Sequence, residues 1–227
     1  MANLQDLPQE LLQEILSFIA DPYGWLEDDF DLDNGDGTDD LCNICLVSRN
    51  FRELAQPLLF RNFMDKDEDR DCDKTICFTK AIYARPDLGE HVRYISIAPL
   101  ADEYFDSHMC IEQRHIKFYE GVIKDLQLGD VEKDWIRAMN NNHLGLFIAL
   151  LVNKTPNLRS LHMPVGGTDF EPFPVFFRRD PSFLSNLTTV GIESADREMG
   201  FPMQHHQELL SLPKLKKNDS YSRYFAR

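Results

Sequence analysis

One short pattern limits what this chain can fold into. Asn157-Leu158-Arg159-Ser160-Leu161 returns 29 residues later as Asn186-Leu187-Thr188-Thr189-Val190, and Leu212-Pro213-Lys214-Leu215 follows at nearly the same interval. A period in the high twenties is the length of one strand plus one helix. A single unit of that size cannot bury its own apolar side, so the units must stack on one another.

The N-terminal stretch behaves differently. In residues 7–19 (LPQELLQEILSFI), Leu11, Leu12, Ile15, Leu16 and Ile19 fall on one broad helical face. Pro8 sits in the first turn, where its missing N–H costs nothing. Asp21-Pro22 ends the helix. Residues 21–40 hold nine Asp or Glu, no Lys or Arg, and Gly24, Gly35 and Gly37, which reads as a loop or insertion. Residues 41–60 return to helical spacing in two pieces. Ser48 is a natural N-cap between them, Phe51, Leu54, Ala55, Leu58 and Leu59 share a face, and Pro57 should bend or interrupt the second piece.

Leu7-Pro8, Glu10-Leu11-Leu12, Ile15-Leu16, Leu46-Val47-Ser48-Arg49, Phe51-Arg52, Leu54-Ala55 and Pro57-Leu58-Leu59-Phe60 together resemble the F-box. The resemblance runs over residues 4–63, with the acidic stretch 21–40 as an insertion between the first two of three helices. It implies docking onto a Skp-type adaptor and, through it, a cullin. The positions matching the family's adaptor contacts are Leu7, Pro8, Leu11, Leu12, Ile15, Leu16, Leu46, Val47 and Leu58. Phe51 and Leu54 are expected to hold the helices together.

The remainder reads as a linker and connecting helix over 64–90, followed by a repeat region over 91–227. Helices are expected at 75–85, 111–128 and 131–152, the last with Gly145 as its weak point, and a strand at 92–98. Residues 85–97 and the recurring Asn-Leu pattern resemble leucine-rich repeats. The expected fold class is therefore α/β and mostly helical: a three-helix F-box, then a short, irregular repeat solenoid. After Leu215 the text turns polar (KKNDSYSRYFAR), which suggests a truncated or divergent repeat end, because solenoids need capped ends.

Charge narrows the partners. The net charge of −14 argues against a nucleic-acid binder and against an anionic membrane surface. No run approaches the ~18–20 apolar residues of a membrane span, and no secretory signal is visible, so an intracellular chain, cytoplasmic or nuclear, is expected. The sequons at Asn153, Asn186 and Asn218 carry no meaning there.

Candidate chemistry is thin. Cys42-x-x-Cys45 lacks a second ligand pair for zinc and lies within an expected helix, so core packing is the expected use of Cys45. Cys72, Cys77, Cys110 and the seven histidines form no recognised ligand spacing. Asp31 to Asp40 imitates a calcium loop, but with Gly37 at position 6 the ends fall on Leu32 and Asn43. Phe170, Phe173, Phe176, Phe177 and Phe183 are dense enough for repeat core or for an exposed partner patch. No nucleophile elbow, phosphate loop or HExxH occurs. The expectation is a non-catalytic adaptor without cofactor or metal, presenting a target protein to a ubiquitin ligase. Two rivals remain: a plain repeat scaffold without adaptor binding, and a metal-binding or hydrolytic protein.

Overall fold

The computed structural model describes residues 7–20, 37–65, 73–97, 113–141, 143–165, 172–194 and 207–216. The chain divides into two compact units, Met1–Asn62 and Phe63–Arg227. Most of the described elements are helical, with one small sheet.

The first unit is a bundle of α1 (Gln9–Ala20), α2 (Thr38–Val47) and α3 (Arg49–Leu59). Its core is Leu12, Leu16, Ala20, Leu41, Cys45, Phe51, Leu54 and Ala55. The loop expected over 21–40 ends earlier, because Thr38, Asp39 and Asp40 already form the first turn of α2. Two carboxylates there favour the positive end of the helix. Gly37 stands before them with φ of 61°, and a Cβ on it would lie 2.0 Å from the Ile19 carbonyl oxygen. Only glycine can make that turn against the end of α1. Ser48 caps α3 by accepting a hydrogen bond from the Phe51 N–H at 3.2 Å. Pro57 does not interrupt α3, which continues to Leu59. It sits in the last turn, where losing one N–H removes a single intrahelical bond.

The second unit contains β1 (Asn62–Asp65), α4 (Asp73–Ala84), α5 (Pro86–Gly89), β2 (Tyr94–Ile97), α6 (Gln113–Asp125), α7 (Glu132–Asn140), α8 (Leu144–Val152), β3 (Ser160–Val165), α9 (Phe173–Arg179), β4 (Thr189–Ser194) and α10 (Gln207–Leu210). Residues 64–90, read from sequence as linker and connecting helix, hold α4, α5 and the end of β1. The single helix expected over 131–152 is two helices. They part between Asn140 and Leu144. At the end of α7 the His143 N–H turns back to the Ala138 carbonyl at 3.0 Å.

Every residue of α8 from Leu146 to Val152 is buried. A helix apolar all round belongs inside a core, and α8 packs against α4, α7 and β3. The aromatic residues fill the same interior: Tyr119 on Phe147 at 4.8 Å and Trp135 on Phe176 at 5.5 Å.

The sheet runs β1-β2-β3-β4, with β2, β3 and β4 parallel. Ile95 pairs with Leu161 and Leu161 with Val190, on the inner face; Ser96 pairs with His162 and His162 with Gly191, on the other. The strand partners Ser160 and Thr189 are separated by the same interval as the sequence pattern.

A turn precedes each strand position. The N–H groups of Val92, Leu158, Leu187 and Leu215 donate to the carbonyls of Gly89, Thr155, Leu184 and Leu212 at 3.3, 3.1, 2.9 and 3.2 Å. Val92, Leu158 and Leu187 are buried beneath these turns. One residue further on, Arg159 N donates to Arg93 O, Thr188 N to Arg159 O and Lys216 N to Thr188 O, each at 2.8 Å. The asparagines of the pattern tie adjacent turns together: Asn157 Nδ2 donates to Glu90 O at 2.9 Å and Asn186 Nδ2 to Pro156 O at 3.2 Å. In the fourth turn Lys214 Nζ donates to Asn186 Oδ1 at 2.8 Å. The polar stretch 217–227 lies outside the described residues.

Candidate partner surface

Helix α1 carries two apolar faces. Leu12, Leu16 and Ala20, four residues apart, are buried in the bundle. Leu11, Ile15 and Phe18 lie on the other side and are 46, 41 and 67% exposed. The Pro8 carbonyl accepts the N–H groups of Leu11 and Leu12 at 3.1 and 3.2 Å, which fixes the first turn and hence the azimuth of both faces. Leu46 and Val47, at the end of α2, are 75 and 65% exposed. Their carrier helix stops there because Ser48 turns extended to cap α3.

These five are the exposed large apolar side chains among the described residues, and all belong to the first unit. Full burial of such a side chain is worth ~1.5–3 kcal/mol, so leaving five in water is a substantial unrealised gain. Scattered apolar side chains need no explanation, but this set is concentrated on one helix face and one helix end.

The positions expected to contact an adaptor differ in exposure. Leu11, Ile15, Leu46 and Val47 are exposed, and so is Pro8. Leu12 and Leu16, expected among the adaptor contacts, are each 2% exposed and lie in the bundle core, where α1 turns them toward α2 and α3. Leu7 and Leu58 are half-buried against the same core. Phe51 and Leu54 lie inside it. Phe18, not among the expected positions, is seven residues after Leu11 and shares its exposed face; the broad 11/12/15/16/19 stripe masks a helix whose apolar residues lie on two sides.

The other candidates find structural roles. Cys45 is buried and Cys42 exposed, both as free thiols. Burial, and then the neighbouring Cys42, push the Cys45 thiol up, with Arg52 partly opposing. That is the direction of an inert core cysteine. Among the described residues no group of three or more His, Cys, Asp or Glu could hold a metal ion. Cys72, Cys110, His108, His205, His206 and the calcium-like residues 31–36 lie outside the described residues. Phe173, Phe176 and Phe183 are buried and Phe177 is half-buried, so these four fill the interior; Phe170 lies outside the described residues. No helix among the described residues is long and apolar enough to cross a membrane.

Comparison with curated proteins and with solved structures found no match. Residues 4–65 match the family model described as F-box-like, a span that takes in all three helices of the first unit. The chain therefore carries an F-box-like domain at its N-terminal end.

Proposed function

We infer that this chain is a non-catalytic substrate receptor of an SCF-type cullin-RING ubiquitin ligase, working in the cytoplasm or nucleus. The first unit docks a Skp-type adaptor, the adaptor joins a cullin, and the second unit holds a target protein. The observation that carries the reading is the apolar surface of Leu11, Ile15, Phe18, Leu46 and Val47 on a domain of F-box-like sequence. A bundle of about sixty residues buries a small core, and a partner that covers this surface adds apolar burial the bundle alone lacks.

The mechanism is proximity. A target held beside a ubiquitin-charged enzyme presents its lysine at high effective concentration, so the receptor contributes positioning and no proton transfer. The second unit is read as a short leucine-rich-repeat array. The support is the turn that recurs before Leu158, Leu187 and Leu215 and the asparagines, Asn157 and Asn186, that tie the first two of these turns to the one before.

The test is co-expression of the full chain with a Skp-type adaptor, beside a Leu11→Asp, Ile15→Asp double variant. Gel filtration of the wild type should give a one-to-one complex, and the double variant should elute free while remaining folded. A soluble, folded wild type that forms no complex leaves a plain repeat scaffold as the better account.

A further inference from the structure

We propose that the strand-entry edge of the second unit is a docking surface for an acidic peptide segment of a target protein. The repeat register puts like charges on neighbouring rungs. Arg93, Arg159, Thr188 and Lys216 are the residues whose backbones bond in sequence, Arg93 to Arg159 to Thr188 to Lys216. Neighbouring rungs of a parallel ladder stand ~4.8 Å apart. Three of the four rungs therefore carry a permanent cation, and Lys214 adds a fourth beside the last rung.

The local balance inverts that of the chain. The four turns (residues 89–93, 155–159, 184–188 and 212–216) contain Arg93, Arg159, Lys214 and Lys216 against one carboxylate, Glu90, whereas the whole chain has 24 Lys and Arg against 38 Asp and Glu. Arg159, Lys214 and Lys216 are exposed, and Arg93 is half-buried. The Arg93 guanidinium turns back onto its own turn, donating to the Glu90 and Val92 carbonyls, which leaves Arg159, Lys214 and Lys216 as the exposed cations an anionic segment would meet. The turn backbones are fixed by their hydrogen bonds, so the stems of these side chains start from set positions and only the side chains themselves are ordered on association. An acidic peptide fits better than a nucleic acid, because the remaining surface of a chain with net charge −14 repels a long polyanion while a short segment meets the row alone. The inference rests on the receptor reading only in naming a ubiquitination target as the source of the peptide.

The experiment titrates the full chain with fluorescein-labelled octaglutamate, octaglutamine and an oligodeoxythymidine of equal length, followed by anisotropy at low and at physiological salt. Octaglutamate should bind, weaken as salt rises, and bind about tenfold more weakly to an Arg159→Ala, Lys214→Ala, Lys216→Ala variant. Thr188→Lys, which completes the row, should tighten binding several-fold, a gain that misfolding cannot imitate. Equal binding of octaglutamate to wild type and both variants, no binding at low salt, or tighter binding of the oligonucleotide would each overturn the proposal. Adaptor complex formation, read on the same preparations by gel filtration, keeps failure of the receptor reading separate from failure of this one.

Discussion

The imidazole of His162 lies against the backbone of Gly191: a Cβ on that glycine would stand 2.2 Å from Nδ1 and 2.6 Å from Cε1. The two residues are register partners on β3 and β4, so the ring of one strand occupies the space above its neighbour. Tyr94, on β2, meets the same ring at 5.8 Å between centroids. Gly191→Ala must displace His162, and a forced shift of this kind costs about 1–3 kcal/mol. Urea unfolding should show a lower midpoint with unchanged slope. An unchanged midpoint would mean that the ring has free room elsewhere.

Acid should weaken the fold through two histidines. Burial holds the imidazoles of His162 and His143 below their ordinary value of 6.5. The unfolded chain takes up these protons near 6.5 and the folded chain only at lower pH. As pH falls below 6.5 the unfolded state is protonated first and is favoured, so stability is full above 6.5 and declines beneath it. Urea midpoints at about pH 7.5 and about pH 5.5 should differ in that direction. His162→Gln should reduce the difference, and a variant with the wild-type pH dependence would remove His162 from the account.

Alkali acts on two tyrosines with the opposite sign. Burial is the main cause that raises Tyr83 and Tyr94 from 10.0 to about 12, against partial opposition from Asn153 and Ser96 respectively. Tyr83 also donates to the Leu150 carbonyl at 3.1 Å, which ties α4 to α8 and needs the phenol protonated. A group whose folded value is raised contributes stability that is complete below its unfolded value and is lost as pH rises toward the folded one. Stability should therefore fall between about 10 and 12. A phenolate absorbance titration should show late-ionising tyrosines in the folded chain, Tyr83 and Tyr94 among them, and late ionisation lost in urea. All seven tyrosines ionising together in the folded chain would contradict the burial.

The parts of the fold that were legible in the sequence are those set by local chemistry. Ser48 ends one helix and caps the next whatever surrounds it, and the Asn157–Asn186 interval survives as strand register because both asparagines bond to the preceding turn. What depended on three-dimensional neighbours was not legible. The stripe on α1 gives helicity, but which half faces α2 and α3 depends on the packing of Leu12, Leu16 and Ala20 with Leu41, Phe51 and Leu54 in one core. The break before α8 was not legible either: the helical stripe runs on from Trp135 to Leu151, whereas the chain leaves α7 after Asn140 and the His143 N–H turns back to the Ala138 carbonyl.

The two faces of α1 give the sharpest separation of stability from binding. Leu12 is 2% exposed and Leu11, its chain neighbour, 46%. Leu12→Ala opens a cavity among Leu16, Leu41 and Phe51 and should cost about 2–5 kcal/mol. Leu11→Ala removes a side chain already in water and should change stability by no more than about 0.5 kcal/mol. Adaptor affinity should show the converse at temperatures where both variants are folded: Leu11→Ala weakens the complex, while Leu12→Ala leaves the contact surface intact. Thermal melts of the free chain and titration with a Skp-type adaptor provide the two readings. Equal destabilisation by both substitutions would mean that Leu11 is buried in the free protein, and its place on the docking face would be lost.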